Sequence, residues 1–274
     1  MANTRSSGLV PPTEEVHITA LIDTSGSMCD LKHALEEGIG VFCQTQNEDA
    51  NKENRTDTTH FTLVFFNTNS SIVYQGLLKD LDIKSIVVTP HGMTRLYDTV
   101  TDSALDLIRK KTKSTRDVSL PKKCMLVIMT DGHNTSGTPT PDKMKETIVE
   151  ARRHGVICTF IAANQDAQDV GDDFGFGRDG SLTFSPDPRT TVNALRAASS
   201  GASRALSQGH APTYTPLERQ SSQACSPPHK RRQDGIPDDF IGFINPADLD
   251  SDYTDTFGPG NVGFGRKRTK LTRS

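Results

Sequence analysis

A short polar segment early in the chain carries three oxygen-bearing side chains that suit a divalent cation. It reads Asp23-Thr24-Ser25-Gly26-Ser27, so a carboxylate and two hydroxyls share one tight loop in which Gly26 permits the close turn. Oxygen ligands of this kind favour a hard cation such as Mg²⁺ over zinc or copper. Asp, Ser and Gly are also ordinary capping and turn residues, so this loop alone leaves a metal site and a purely structural turn equally open.

Two further segments place oxygen groups at equivalent positions. Thr94 lies in a G-x-T-x-L-Y-D segment on the loop before a predicted helix, and Asp131 lies in a T-D-G segment that directly follows a predicted strand. In a doubly wound sheet, ligands bind outside the carboxyl ends of the strands. We therefore expect Thr94 and Asp131 to converge with Asp23, Ser25 and Ser27 at that edge of the sheet.

The elements that must position these residues alternate along the chain. Short apolar runs rich in β-branched residues predict strands buried on both faces. They are Val16–Ile22, Phe61–Phe66, Met125–Thr130 and Val156–Ala163. A weaker run, Ile72–Gln75, is expected to pair with the second of them as an antiparallel edge hairpin.

Helical periodicity separates the predicted strands. The apolar positions of the first two predicted helices are Leu31, Leu35, Ile39 and Phe42, then Leu96, Val100, Leu105 and Ile108. A third helix is expected to begin at Pro141 and to be closed by Gly155. This alternation predicts an α/β fold, a doubly wound and mostly parallel central sheet with one antiparallel edge strand.

The three polar motifs, taken in order, resemble the metal-ion-dependent adhesion site of the von Willebrand factor A (vWA) domain family. The resemblance covers about residues 16–206. It implies a Rossmann-like vWA fold of the compact type found in intracellular bacterial and viral members. It also implies a complete site for Mg²⁺ or Mn²⁺.

The resemblance further implies a division of roles among the site residues. Ser25, Ser27 and Thr94 would be direct hydroxyl ligands, while Asp23 and Asp131 would act through waters or by hydrogen-bonding the direct ligands. With neutral direct ligands the ion keeps much of its charge and an open position, which favours a carboxylate arriving from a partner. The expected function is a non-enzymatic, metal-dependent interaction module for a protein with an exposed Asp or Glu.

Two other function classes compete with this interpretation. A metal-dependent hydrolase or phosphotransferase could use Asp23 as its nucleophile, but a D-x-D phosphatase needs an acid where Ser25 stands. The sequence has no P-loop lysine, Ser-His-Asp arrangement or G-x-S-x-G elbow to replace it. A nucleic-acid-associated scaffold would use the basic tail. The histidines show no H-x-x-x-H or H-E-x-x-H spacing, so no zinc site is expected.

Other polar residues near the motifs have structural alternatives. Asn164 and Asp166 follow the last strong apolar run and either rim the ligand surface or cap a turn, and turn chemistry favours the second. His133 either adds a pH-dependent charge to the rim or is simply solvated. Tyr97 and Asp98 are expected to fix the second helix rather than contact ligand.

Composition locates the end of the domain. Only 34% of the 274 residues are hydrophobic and there is no Trp, so part of the chain cannot be packed core. We expect a flexible N-terminus at residues 1–14, a vWA domain at 15–206 and a disordered tail at 207–274, whose first part, residues 207–235, is rich in Ser, Gln, Pro and His with almost no aliphatic residues. Within the tail, residues 238–250 mix acidic and apolar side chains, and residues 266–273 are basic.

The tail suggests separate interactions. Its acidic-hydrophobic segment is expected to fold on a partner, or to dock on the domain and supply a carboxylate to the open metal position. The basic clusters Lys230–Arg232 and Arg266–Arg273 have two interpretations that the sequence supports equally. They are nuclear-import signals or nucleic-acid contacts, or they are solvated charges that keep the tail soluble.

Charge, cysteine content and hydropathy indicate the compartment. A net charge of −3 excludes a generally basic nucleic-acid binder. Five Cys without C-x-x-C spacing argue against a disulfide framework or zinc ribbon, and no apolar run approaches the length of a membrane span. We expect an intracellular, cytoplasmic protein without membrane contact.

Overall fold

The computed structural model describes residues 14–112, 122–132, 134–163 and 166–223, which belong to one compact unit. Its sheet has six strands in the order β3-β2-β1-β4-β5-β6. Every neighbouring pair is parallel except β2 and β3, which are antiparallel. The strands are β1 Glu15–Asp23, β2 Thr59–Phe66, β3 Ser70–Leu77, β4 Lys122–Thr130, β5 Val156–Ala163 and β6 Ser181–Phe184. The predicted fold class is confirmed.

Six α-helices cover the two faces of the sheet. They are α1 Lys32–Lys52, α2 Leu96–Thr112, α3 Pro141–Arg153, α4 Ala167–Asp173, α5 Pro188–Gln208 and α6 Pro216–Gln223. Helices α1 and α5 bury their apolar residues in one cluster on the first face, and α2 and α3 bury theirs in a second cluster on the other face. Short 3₁₀ helices lie at Gly26–Leu31, Leu78–Asp80 and Ile83–Ser85. None of the helices in these described ranges has the length and apolar character needed to cross a membrane.

The helix predictions are correct in position and partly wrong in detail. Pro141 begins α3, and Gly155, with a φ of 75°, follows its end. On α2 the buried face includes Val100, Ala104 and Leu107, whereas Leu105 is 41% exposed. The prediction that Leu105 faces the core is therefore wrong, because a spacing of four residues continues from Val100 to Ala104.

The ordered domain extends past the predicted boundary at residue 206. Helix α5 continues to Gln208, Tyr214 is buried, and α6 lies between residues 216 and 223. The Tyr214 hydroxyl hydrogen-bonds Thr159 Oγ1 at 2.6 Å, and the Arg219 guanidinium donates to the Ser181 carbonyl at 2.8 Å. The prediction of a disordered tail from residue 207 is therefore wrong for residues 207–223, because one aromatic side chain and one arginine attach this short segment to β5 and β6.

The remaining tail predictions lie outside the described residues. These are the acidic-hydrophobic segment at 238–250 and the basic clusters at 230–232 and 266–273. The flexible N-terminus, apart from Glu14, and the side chains of His133 and Asn164 also lie outside them.

Candidate metal centre

Asp23 anchors the site at the carboxyl end of the sheet. It is the last residue of β1 and has an exposed fraction of 0%. Its Oδ1 accepts from the Ser25 backbone N–H at 2.8 Å, and its Oδ2 accepts from the Thr130 hydroxyl at 2.6 Å. Thr130 ends the neighbouring strand β4, so the parallel register of β1 and β4 brings these two side chains together. Both oxygens of a buried carboxylate are thereby satisfied, as burial requires.

A chain of hydroxyls connects the first motif to the third. Ser25 Oγ and Ser27 Oγ are 3.1 Å apart, and the Ser27 hydroxyl donates to Asp131 Oδ1 at 2.8 Å. Ser27 lies in the 3₁₀ helix that precedes α1, and Asp131 directly follows β4. Ser25 and Asp131 are buried, while Ser27 is exposed. The predicted convergence of the first and third motifs therefore occurs.

The second motif is held against the first by backbone hydrogen bonds. The Gly26 N–H donates to the Gly92 carbonyl at 3.1 Å, two residues before Thr94. On the other side, the Thr94 N–H donates to Thr135 Oγ1 at 2.8 Å, and the Thr94 carbonyl accepts from the Thr135 N–H at 2.9 Å. These bonds leave the Thr94 side chain beside Gly132, whose added Cβ would lie 3.8 Å from Thr94 Oγ1.

Gly92 gives the second loop its shape. Its φ of 73° is in the left-handed region, and a Cβ there would lie 2.5 Å from Thr68 Oγ1. The same Thr68 hydroxyl accepts from the Met93 N–H at 3.0 Å. Only glycine combines that backbone angle with so close an approach. Thr68 and Gly92 together therefore set the position from which Thr94 reaches the site.

Burial controls the charge of the two carboxyl groups. It raises the pKa of Asp23 above its ordinary value, against hydrogen bonds from Thr130 and Ser25 that lower it, and the charge of Asp131 raises it further. Burial likewise raises the pKa of Asp131, against the hydrogen bond from Ser27. Among the described residues no Lys, Arg or His makes an ion pair with Asp23. Two partly desolvated acids near one another attract a cation.

The donor set fits a hard divalent ion. Its three hydroxyls and two carboxylates supply oxygen alone, which is the preference of Mg²⁺. The separation of 3.1 Å between Ser25 Oγ and Ser27 Oγ is close to the separation of about 3 Å between adjacent ligands around an octahedral ion with bonds of about 2.1 Å. No described group hydrogen-bonds the Thr94 hydroxyl, which leaves its lone pairs for a ligand role.

The segment that follows the first motif decides whether a helix dipole acts on the site. The positive end of an α-helix that began near Ser27 would favour an anion there. The segment is a 3₁₀ helix, and the α-helix begins only at Lys32. The first turn of α1 is therefore displaced from the site, and a bound cation would have to supply most of the favourable field for an anion.

Several neighbouring residues have structural roles. Asp98 accepts from the Arg95 guanidinium at 3.0 Å, and Tyr97 packs edge-on against Phe174, so both fix α2 as expected. Asp166 caps α4 by accepting from the Gln168 N–H at 3.0 Å, which is the turn role that the sequence favoured.

Two threonines that support the site were not identified from the sequence. Thr130 ends a predicted strand and begins the T-D-G segment, and Thr135 lies outside all three motifs, yet they hold Asp23 and Thr94 respectively. The position of Thr130 at a strand end, beside a candidate ligand, was an available signal.

The family comparison agrees with the geometry. The family model of the von Willebrand factor type A domain matches residues 17–197. No curated protein sequence matches the chain.

Solved structures of several proteins are similar in fold. Proximal thread matrix protein 1 from the mussel byssus is 16% identical, with a TM-score of 0.50 over 71% of this chain and 47% of its own. The pilus adhesin SpaC from Lactobacillus rhamnosus GG is 12% identical, with a TM-score of 0.52 over 68% of this chain and 30% of its own. A further structure of the mussel protein has a zinc-occupied MIDAS motif, with 15% identity and a TM-score of 0.45 over 69% and 47%. This chain thus spans about half of the mussel protein and under a third of the adhesin, and the likeness at these identities concerns the fold alone.

Proposed function

The chain belongs to the von Willebrand factor type A domain family, and from this premise we propose that its site binds Mg²⁺ or Mn²⁺ and, through the ion, a carboxylate of a partner protein. Domains of this family commonly mediate metal-dependent protein interactions. The partner would present an exposed Asp or Glu side chain. Ser25, Ser27 and Thr94 would hold the ion directly, with Asp23 and Asp131 behind them.

One observation carries the proposal. The hydroxyls of Ser25 and Ser27 lie side by side, the second of them is bonded to Asp131, and Thr94 reaches the same edge with a hydroxyl that no described group occupies. Neutral direct ligands would leave the ion most of its charge, so the ion would supply an electrostatic attraction for an incoming anion. The exposed position of Ser27 leaves the site accessible from solvent.

The competing role of Asp23 as a nucleophile receives no support from its surroundings. Its exposed fraction is 0%, and both of its oxygens accept hydrogen bonds from Ser25 and Thr130. A nucleophile must reach the atom that it attacks. A buried carboxylate with both oxygens engaged is suited instead to orienting the loop that contains the hydroxyl ligands. We therefore propose a binding function rather than an enzymatic one.

Metal binding is tested first, with the metal alone. We expect isothermal titration of the full chain to give one Mn²⁺ per chain, in competition with Mg²⁺, and Thr94→Ala to weaken binding by at least about tenfold. Thr112→Ala is the matched control, because the Thr112 hydroxyl donates to the Ile108 carbonyl at the exposed end of α2 and lies on another element. Equal affinity in Thr94→Ala and wild type would overturn the proposed site.

Partner binding is tested next, by capture from native lysate in Mg²⁺ and in chelator. We expect a captured protein to be lost in chelator and with Thr94→Ala or Asp23→Ala, while circular dichroism shows that the fold is retained. Replacing the acidic contact residue of the captured protein by its amide should then abolish binding. Capture that persists in both variants would contradict the proposal.

The tail and the compartment complete the proposal. We propose that an acidic residue of the tail competes with the partner for the ion. A chain that ends at Gln223 keeps α6 but lacks that residue, so its affinity for an acidic partner should rise. We also propose a cytoplasmic location, supported by the exposed free thiol of Cys29 and the buried free thiols of Cys43 and Cys158, which persist in a reducing compartment. Cell fractionation tests that location.

A further inference from the structure

A second group of side chains of the types that bind metals lies where β1 and β2 begin, at the end of the sheet opposite the metal centre. Glu15 is the first residue of β1, and His17 follows it on the same face, whereas Asp23 ends that strand. At a rise of about 3.3 Å per residue, Glu15 and Asp23 are roughly 26 Å apart along β1. Glu15, His17 and His60 form what we call the Glu–His cluster, and none of them belongs to the metal centre described above.

The parallel register of β1 and β2 assembles the cluster. His17 is paired with His60, so their side chains project from the same face of adjacent strands. Their rings stack with centroids 4.8 Å apart and an interplanar angle of 11°. Glu15 Oε1 lies 2.6 Å from His17 Nε2 and 3.7 Å from His60 Nε2. All three ligand atoms lie within 4.8 Å of one another.

These distances are close to those of a chelating site. Two nitrogens bound to tetrahedral Zn²⁺ at about 2.1 Å are about 3.4 Å apart. The two imidazole rings must therefore turn out of their stacked arrangement to direct both Nε2 lone pairs at one ion. Two imidazoles and a carboxylate form one of the three-ligand sets that bind zinc with a further position left open. Imidazole selects zinc and copper over Mg²⁺, so this donor set differs in chemistry from the all-oxygen centre.

Access to solvent suits an ion that exchanges with its surroundings. The side chains of His17, Glu15 and His60 are 12%, 24% and 40% exposed. The cluster is therefore sheltered on the β1 side and open at His60. Burial lowers the pKa of His17, against the charge of Glu15 that raises it, so its ring is largely neutral and has a lone pair for coordination. Binding through Nε2 requires the neutral tautomer with its proton on Nδ1, so the hydrogen bond between Nε2 and Glu15 is replaced by the bond to the metal.

Two lysines face the cluster and limit its affinity. Lys122 Nζ lies 3.8 Å from Glu15 Oε2, and the charge of Lys110 also acts on His17. Lys122 is paired with Glu15 across β1 and β4, so it competes with an ion for the carboxylate. Cys124 is paired with His17 across β1 and β4 but is fully buried, and its sulfur is not among the ligand atoms that lie within 4.8 Å of one another. We expect three protein ligands and micromolar affinity.

We propose that the Glu–His cluster of Glu15, His17 and His60 is a binding site for Zn²⁺, separate from the Mg²⁺ or Mn²⁺ centre. Bound zinc joins β1 to β2 where both strands begin, and water completes its coordination. Because the three ligands come together only in the folded sheet, zinc binds the native chain in preference to the unfolded one and raises its melting temperature.

The test uses untagged full chain carrying Thr94→Ala, which weakens ion binding at the other centre. We expect isothermal titration with Zn²⁺ to give one ion per chain, and saturating Zn²⁺ to raise Tm by about 5 °C. A tenfold excess of Mg²⁺ should not compete. Adding His60→Gln should weaken zinc binding by at least about tenfold and remove the Tm shift. His60 is the more exposed of the two rings, so this variant keeps its fold if His17→Gln does not.

His154→Gln is the matched control. His154 Nε2 lies 3.1 Å from Glu150 Oε1 on α3 and is 39% exposed, so it reproduces a histidine–glutamate pair with the exposure of His60. It should leave zinc affinity unchanged. The proposal is overturned if the Thr94→Ala chain binds no Zn²⁺ at 1 mM, roughly a thousandfold above the expected micromolar range, or if His60→Gln and His154→Gln bind it equally. Since the Mn²⁺ titration of the wild-type chain is a separate measurement, either site can fail without the other.

Discussion

Replacing Thr130 by Val tests whether the acidic anchor of the metal centre is held by the neighbouring strand. The Thr130 hydroxyl donates to Asp23 Oδ2 at 2.6 Å, a short bond typical of a charge-assisted donor. Both residues are buried at 0% exposure, so water cannot readily replace the lost donor. Val keeps the β-branched shape that suits a central strand. The Thr130 hydroxyl also accepts from the Gly132 N–H at 3.2 Å, so the substitution removes the donor to Asp23 and this second, neutral hydrogen bond.

The magnitude follows chiefly from the bond to Asp23. A hydrogen bond to a charged group contributes about 1.5–3 kcal/mol and the bond from Gly132 adds to it, so we expect the free energy of unfolding in chelator to fall by at least about 2 kcal/mol. In a domain of this size, that corresponds to a Tm lower by roughly 4–8 °C. Loss of a group that orients a metal site typically costs about 10–100-fold in metal affinity. Losing the Thr130 donor also raises the pKa of Asp23 further, so the variant should release metal at a higher pH than wild type.

Urea unfolding in chelator and Mn²⁺ titration measure the two effects, and Thr62→Val is the control. Thr62 is a buried strand residue on β2 whose hydroxyl has no partner among the described residues. Its replacement should change stability by less than about 0.5 kcal/mol. The reasoning is refuted if Thr130→Val is as stable as Thr62→Val and binds Mn²⁺ within twofold of wild type.

Three further predictions concern glycine geometry, an ion pair and the end of the domain. Gly92 and Gly209 have nearly equal φ values of 73° and 74°, but an added Cβ collides only at Gly92. Gly209→Ala should lower the free energy of unfolding by about 1–2 kcal/mol, and Gly92→Ala should lower it more and also weaken metal binding. Equal losses of unfolding free energy in urea would contradict this prediction. Burial acts to raise the pKa of Glu218, but hydrogen bonds, chiefly from Arg204, hold that pKa below its ordinary 4.5. The stability that Glu218→Gln removes at pH 7 should therefore shrink as pH falls below about 4.5. A stability difference that does not depend on pH would contradict this prediction. A chain that ends at Gly209 lacks buried Tyr214 and should lose at least about 3 kcal/mol, whereas one that ends at residue 223 should melt like wild type.

The central strands could be predicted because each is a long apolar run. The predicted fourth strand, Val156–Ala163, coincides with β5, and all eight of its residues are buried. The edge strand β6 was not predicted, since Ser181–Phe184 has only two apolar residues and becomes a strand by pairing with β5. Residues 207–223 were assigned to the tail because their composition is polar, although Tyr214 alone supplies a buried aromatic ring. The average composition of a segment does not reveal a single side chain that is buried against the domain, as Tyr214 is.

The metal centre was predictable to the level of its loops. The order of three polar motifs after successive strands indicated where they would meet, and Ser27 and Asp131 do meet. The supporting hydroxyls of Thr130 and Thr135 could not be assigned, because Thr is common in strands and turns and only the three-dimensional contact identifies its partner. The ligand roles of the motif residues stay predictions until metal is measured.

The Glu–His cluster shows why spacing along the chain missed a group of ligands altogether. Helical zinc motifs place two histidines four residues apart, whereas His17 and His60 are brought together by strand register. The two ends of β1 thus carry different donor sets, oxygen at one and imidazole at the other, roughly 26 Å apart by strand rise. Sites this distant without shared partners act additively on stability. The Tm increases produced by Mn²⁺ and by Zn²⁺ should therefore sum when both ions are present, and a shortfall would mean that the ions share one site.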